Sequence, residues 1–192
     1  DWTPVDLATG DGAEVFYRYD TIDPDSAAIA TENPACVFDD ALAIGRVSSI
    51  SDRASKTVMG YDVIGRVDCI GKRLAPPGPV AEVLAARYTG RFYTQTSTHD
   101  AEDRPVTVST GVRSSELFGT GSRSEVTSTY ARNGTVKSVG SSYGALVASI
   151  KRAADGPIEQ IVYGDLLGTR TDFAHDDRRR VSTVQTYRGP PS

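Results

Sequence analysis

The feature that most constrains this chain is a recurring motif. Its clearest copy is Gly60-Tyr61-Asp62-Val63-Ile64-Gly65-Arg66-Val67-Asp68-Cys69-Ile70: an aromatic residue, an aspartate, two variable residues, a glycine and an arginine ahead of an alternating apolar run. Degenerate copies keep the same frame. His99, Asp100 and Arg104 run into Val106-Thr107-Val108 with Asp103 in the glycine's place, and Tyr130 and Gly134 lead to Thr135-Val136. His175, Asp176 and Arg180 precede Val181-Ser182-Thr183-Val184, and Phe38-Asp39 reaches Gly45-Arg46-Val47 through a longer loop. The arginine position falls at 46, 66, 104, 135 and 180, so the steps are 20, 38, 31 and 45 residues. A solenoid of fixed rungs does not absorb that variation, whereas hairpins joined by loops of independent length do.

Turn chemistry accounts for the residue types. A type I turn followed by a glycine at positive φ gives a bulged hairpin whose twist matches its strands, and this assigns Gly65 its role. The Asp62 side chain is suited to accept from turn amides two residues on, and Arg66 to pair with a carboxylate or lie across an aromatic face. Val47-Ser48-Ser49-Ile50, Phe92 to Thr98, Val106-Thr107-Val108 and Val181 to Val184 read as strands beside these turns. Pro79 to Arg87 reads as a short helix near 80–87, and Asp25 to Ala30 as a weaker one. The expected fold is all-β: antiparallel hairpins forming a curved, spiralling sheet across a single region, residues 1–192.

Charge and cysteine usage narrow the function classes. A formal net charge of −4 supplies no global positive field for nucleic acid. The basic run Arg178-Arg179-Arg180, flanked by Asp176-Asp177 and Ser182-Thr183, reads as a solvated hairpin tip. Two cysteines, Cys36 and Cys69, exclude a multi-disulfide scaffold and a four-cysteine zinc site; one bridge is open to them in an oxidising compartment, and spacing does not decide it. No apolar run approaches the ~20 residues needed to span a bilayer. The Gly189-Pro190-Pro191-Ser192 end reads as a linker or interruption, pointing to a fragment or processed product of a longer protein.

The motif from Tyr61 to Val67, its copies, and the run Gly45-Arg46-Val47-Ser48-Ser49-Ile50-Ser51-Asp52 leading into Tyr61 resemble the YD repeats of RHS proteins. Tyr163-Gly164-Asp165-Leu166-Leu167-Gly168-Thr169-Arg170-Thr171-Asp172-Phe173 is similar to the linking strands of such arrays. The resemblance extends from about Tyr17 to Tyr187. It implies a β-strip forming part of a hollow shell, secreted or at the cell surface, that encloses a toxic polypeptide, or the barrel of an adhesion protein. It names the remaining RHS/YD polypeptide or neighbouring chains as partners, with an enclosed toxin as cargo. The motif closing the core in self-cleaving members has no match here, so autoproteolysis does not carry over.

No enzyme, cofactor or metal site is assembled from the sequence. His99 and His175 each precede an aspartate, but adjacent strand residues point to opposite faces, and both read as substitutes for the repeat tyrosine. The Gly119-Thr120-Gly121-Ser122 stretch lacks a phosphate-loop context and reads as a loop. Asp20-Thr21-Ile22-Asp23-Pro24-Asp25 misses the spacing of an EF-hand and reads as turn chemistry, and Asn133-Gly134-Thr135 reads as a turn ahead of a glycosylation sequon. The expected function is a non-enzymatic shell segment. An adhesion module binding glycans or a partner protein through exposed Tyr, Arg and Asp is the alternative, and a toxin enzyme the weakest reading.

Overall fold

The structure is a computed structural model that describes residues 5–109, 111 and 124–189, so the stretch from Gly119 to Ser122 lies outside it. The fold is all-β. Its strands are β1 (Val15–Tyr19), β2 (Val47–Asp52), β3 (Ser55–Tyr61), β4 (Val67–Leu74), β5 (Tyr93–His99), β6 (Pro105–Ser109), β7 (Glu125–Tyr130), β8 (Val136–Ser141), β9 (Gly144–Arg152), β10 (Ile158–Tyr163), β11 (Arg170–His175) and β12 (Val181–Tyr187). Their order in the sheet is their order along the chain. Each strand therefore pairs with the one before it, the arrangement that successive hairpins produce. Residues 1–97 and 98–192 form two compact units.

In the first unit one sheet face carries small residues, Ser49, Ser51 and Gly71, among larger ones. Register aligns Arg18, Ser49, Val58, Gly71 and Thr94 across five strands, and Phe16, Ser51, Lys56 and Arg73 in the neighbouring row. The reason for the small side chains is a segment inserted between β1 and β2 that lies on them. It contains helix α1 (Ser26–Glu32) and the short helix α2 (Asp40–Ala43). A Cβ on Gly71 would collide with the Ile29 side chain, so the helix approaches the bare backbone of β4. Ile29, Cys36, Val58, Cys69 and Phe92 form the core, with Phe38 packed on its edge. Asn33, fully buried at the end of α1, spends its amide on Thr94 Oγ1 (3.2 Å) and accepts from Ala35 N (3.2 Å), so no polar group is orphaned there.

Cys36 and Cys69 are joined, with their Cα atoms 5.3 Å apart. The bond ties the insertion to β4 and resolves the pairing that spacing left open.

Two helical expectations change. The weak candidate at Asp25 to Ala30 is α1, starting one residue later and running further. The segment near 80–87 is not an α-helix; only a 3-10 turn at Leu84–Ala86 forms. The buried Arg87 explains this, because its guanidinium donates to the carbonyls of Ala81 (3.0 Å), Glu82 (3.4 Å) and Ala13 (3.0 Å). Those carbonyls are held open for a side chain instead of being consumed by a helical ladder, a tertiary override of local propensity.

The second unit has a different balance. Among the described residues, every buried apolar side chain belongs to the first unit, while the buried residues of the second are Ser109, Ser124 and Thr171. Its sheet rests on ladder hydrogen bonds and half-buried cross-strand pairs such as Ile150–Ile161 and Val139–Val147.

Replacing both cysteines in Cys36→Ser/Cys69→Ser is expected to destabilise the first unit by about 2–4 kcal/mol. Urea unfolding of oxidised wild type against the variant measures it.

Candidate functional site

The repeated turn is the site that recurs through the molecule. At the tip of β3 and β4, Asp62 N donates to Arg66 O (2.9 Å) and Gly65 N to Asp62 O (2.9 Å), and Tyr61 faces Val67 across a register shift. The Asp62 carboxylate closes the loop from within. Its Oδ1 accepts from the amides of Ile64 (3.0 Å) and Arg66 (2.9 Å), and its Oδ2 accepts from Arg66 Nε (2.6 Å). The same clamp stands at Asp100, with the amides of Glu102 (2.9 Å) and Arg104 (3.0 Å) and Arg104 Nε (2.6 Å). It stands again at Asp176, with the amides of Arg178 (2.9 Å) and Arg180 (2.9 Å) and Arg180 Nε (2.8 Å).

These bonds set the acidity of the three carboxylates. Partial desolvation pushes Asp62 and Asp100 up, but hydrogen bonds from Arg66 and Arg104 outweigh it and hold both below the ordinary Asp value of 3.8. At Asp176 the Arg180 amide and guanidinium are the leading causes of the same lowering.

The position before the arginine takes positive φ in every copy. It is Gly65 at 92° and Gly134 at 78°, but also Asp103 and Arg179, both at 62°. Without an aspartate, the Tyr130 copy closes through Ala131 N to Thr135 O and Gly134 N to Ala131 O, both 2.9 Å, while Asn133 Oδ1 accepts from the Thr135 amide (3.2 Å) and hydroxyl (2.9 Å).

Two turns of this kind escape the motif. Arg152-Ala153-Ala154-Asp155-Gly156-Pro157-Ile158 has no aromatic residue, aspartate or arginine in frame. It nevertheless repeats both bonds, Ala153 N to Pro157 O (2.9 Å) and Gly156 N to Ala153 O (3.0 Å). Its Asp155-Gly156 dipeptide was the available signal. Asp165 grips Thr169 as Asp62 grips Arg66, accepting from its amide (2.7 Å) and hydroxyl (2.6 Å), so the segment after Tyr163 is a turn between β10 and β11.

The first copy needs correction. Phe38 and Asp39 do not close a hairpin; Asp39 caps α2, its carboxylate accepting from Ala41 N at 2.8 Å. The hairpin of β1 and β2 closes on Tyr19-Asp20. Tyr19 faces Val47 across a register shift, Asp20 N donates to Arg46 O (3.2 Å), and Asp20 Oδ1 accepts from Gly45 N (2.7 Å). Residues 21–44 are thus an insertion inside a repeat turn, and that separation hid a Tyr-Asp pair present in the sequence.

Successive turns are coupled by arginine and tyrosine. The Arg46 guanidinium lies 5.5 Å above the Tyr61 ring, and the Tyr61 hydroxyl donates to Val47 O (2.6 Å). Arg104 lies 4.6 Å above Tyr130, whose hydroxyl donates to Pro105 O (2.8 Å). In both cases the arginine of one turn and the carbonyl of the next residue receive the tyrosine of the following turn. Such contacts contribute about 0.5–1 kcal/mol each at exposed positions. His99 and His175 end β5 and β11 in the position the tyrosine holds elsewhere, and His175 faces Val181 across the same kind of register shift.

No protein-family model and no curated protein matches this sequence. Solved structures do. The chain is similar to a chain of the TcdB2-TccC3-Cdc42 crystal structure, with a TM-score of 0.64 and 14% identity over 90% of this chain and 8% of that one. It is similar to a chain of the Photorhabdus luminescens Tc holotoxin pore carrying a TccC3 mutation, with a TM-score of 0.65 and 16% identity over 78% of this chain and 7% of that one. A chain of TcdB2-TccC3 gives a TM-score of 0.65 and 14% identity over 90% and 8%. The likeness establishes a fold shared with these Tc toxin complexes, in agreement at that level with the RHS-type fold implied by the sequence. The chain spans under a tenth of the length of the solved chains it matches.

Gly65→Val is expected to destabilise by about 1–3 kcal/mol, because a β-branched residue is strained at φ 92° and its Cβ would displace the Arg46 guanidinium; Gly65→Asn is expected to cost less. Denaturant midpoints of the two variants measure the difference. The lowered carboxylates give acid lability: the clamps stabilise the fold above the unfolded Asp value of 3.8 and lose that contribution as pH falls below it, through the lower folded values. Stability against pH should therefore fall less steeply below this value in Asp62→Asn/Asp100→Asn/Asp176→Asn than in wild type.

Proposed function

We propose that this chain is a structural segment of an RHS/YD-repeat shell, secreted or at the cell surface, that encloses a toxin or effector polypeptide. The observation that carries the reading is the Asp-Arg clamp, recurring at Asp62, Asp100 and Asp176 in a sheet whose strands follow chain order. A device that closes hairpin after hairpin suits a wall made by adding hairpins. The fold shared with chains of Tc toxin complexes supports the same reading.

The partners fit it too. In the second unit Val108, Tyr143, Leu146, Val181, Val184 and Tyr187 are exposed, and further RHS/YD polypeptide or a neighbouring chain would cover such surface. The Cys36–Cys69 bond suits an oxidising compartment. In this role the chain is non-enzymatic, and the repeat residues from Tyr61 to Arg66 and their counterparts act by fixing hairpin geometry. The adhesion reading draws on one observation, the exposed stacked pair Tyr17 and Tyr19, whose ring centroids are 6.3 Å apart.

Native mass spectrometry of material from its source, followed by denaturing analysis of every chain present, tests the shell. The expected result is this sequence travelling with further YD-repeat polypeptide and an unrelated cargo chain. A lone folded species of 20.5 kDa would overturn encapsulation.

A further inference from the structure

Successive hairpins join at a recurring register. Ser49, three residues after Arg46, lies opposite Val58, three residues before Tyr61. Cys69 and Thr96 stand in the same relation to Arg66 and His99, and Thr107 and Thr127 to Arg104 and Tyr130. Gln160 and Asp172 repeat it for His175 and for Pro157, which takes the arginine's place in its turn. Between β8 and β9 a bulge displaces the pairing. The register sets the arginine position of one turn against the tyrosine position of the next, and this is what brings Arg46 over Tyr61 and Arg104 over Tyr130.

Each edge of the sheet carries half of such a junction. β1 has β2 as its neighbour in the sheet and β12 has β11, so one side of each strand is open among the described residues. Tyr19 ends β1 as Tyr61 ends β3, but no arginine of an earlier turn receives it. It is 53% exposed, and its hydroxyl makes no hydrogen bond among the described residues. Arg180 precedes β12 as Arg46 precedes β2. It is clamped to Asp176 through Nε (2.8 Å) and Nη2 (2.7 Å), its side chain is 69% exposed, and it lies over no ring among the described residues. The clamp leaves a guanidinium able to stack, since Arg104 holds Asp100 and Tyr130 at once.

The two edges are also unguarded. Open strand edges are templates for pairing, and monomeric proteins blunt them with charges or proline. Strand β12, Val-Ser-Thr-Val-Gln-Thr-Tyr, has neither, and all its residues are exposed. Strand β1 has no proline and one charge, Arg18, which stands 3.7 Å from Asp23 on the insertion. One sequence therefore carries both an edge that lacks a tyrosine and an edge that lacks an arginine. We propose that β12 of one copy of this chain pairs antiparallel with β1 of a second copy, with Thr183 opposite Phe16 and Val184 opposite Val15. Arg180 then receives Tyr19, and Val181 O accepts from the Tyr19 hydroxyl as Val47 O accepts from Tyr61. The contact joins unlike edges, so it propagates beyond a dimer. It involves no cargo, and its failure would leave the shell reading standing.

Sedimentation velocity of the 192-residue chain across about three decades of concentration tests the association, and cysteine cross-linking tests the register. The expected result is a mass that rises with concentration past that of a dimer. Tyr19→Phe keeps the ring and loses a hydroxyl without a partner inside the chain, and is expected to associate about fivefold more weakly. Directly opposed strand residues have Cβ atoms about 4.5–5.5 Å apart, near the reach of a disulfide. Mild oxidation should therefore link Val15→Cys to Val184→Cys in a mixture of the two variants and link neither variant to itself. A mass of 20.5 kDa at every concentration, unchanged association in Tyr19→Phe, dimers of Val184→Cys alone, or better linkage of Val184→Cys to Tyr17→Cys would overturn the proposal.

Discussion

A carboxylate inside the turn locks the hairpins at Asp62, Asp100 and Asp176. Asp62 binds two amides and one guanidinium, so a single side chain fixes the turn's curvature and the direction of the strand that leaves it. The geometry is local, spanning five residues, and for that reason it can be repeated wherever the chain reverses. Its repetition at Asp100 and Asp176 with distances that differ by at most 0.2 Å shows how little the surroundings matter to it. Where the aspartate is missing, at Ala131 and Ala153, backbone bonds and a positive-φ glycine hold the same shape. The carboxylate reinforces a turn that the backbone already permits.

From this follows the coupling between neighbours. The arginine of one turn receives the tyrosine of the following turn, as Arg46 receives Tyr61 and Arg104, clamped by its own Asp100, receives Tyr130. The tyrosine hydroxyl then satisfies a carbonyl at the start of the earlier return strand. Register within a hairpin and alignment between hairpins are thereby set by residues of one short motif.

The two units show what the motif does and does not supply. Hairpin closure gives a sheet, but a sheet face needs a second layer to bury. In the first unit an insertion inside a repeat turn provides it, with Ile29 seated over Gly71 and the Cys36–Cys69 bond fastening it down. The same insertion carries Asp23 and Asp25 onto Lys56, which pairs with both. The second unit has the turns without the layer, and its apolar side chains stay half exposed.

The hairpin architecture was legible in the sequence because its causes are short-range: the aspartate, the positive-φ position and the alternating run all lie within a few residues of one another, as at Tyr61 to Val67. Reading failed where partners are distant. Tyr19-Asp20 meets Gly45-Arg46 across an insertion, so proximity along the chain favoured Phe38-Asp39, whose aspartate instead caps a helix. Good helix formers from Val80 to Ala86 yielded to Arg87, whose carbonyl partners include Ala13, 74 residues away. The disulfide, the seat of Ile29 on bare backbone and the Asp23–Lys56–Asp25–Arg73 chain were decided by tertiary structure alone. The sequence by itself determined the turns, since each is closed by its own residues; what lies upon the sheet depended on folding a long insertion back over strands that no local rule connects to it.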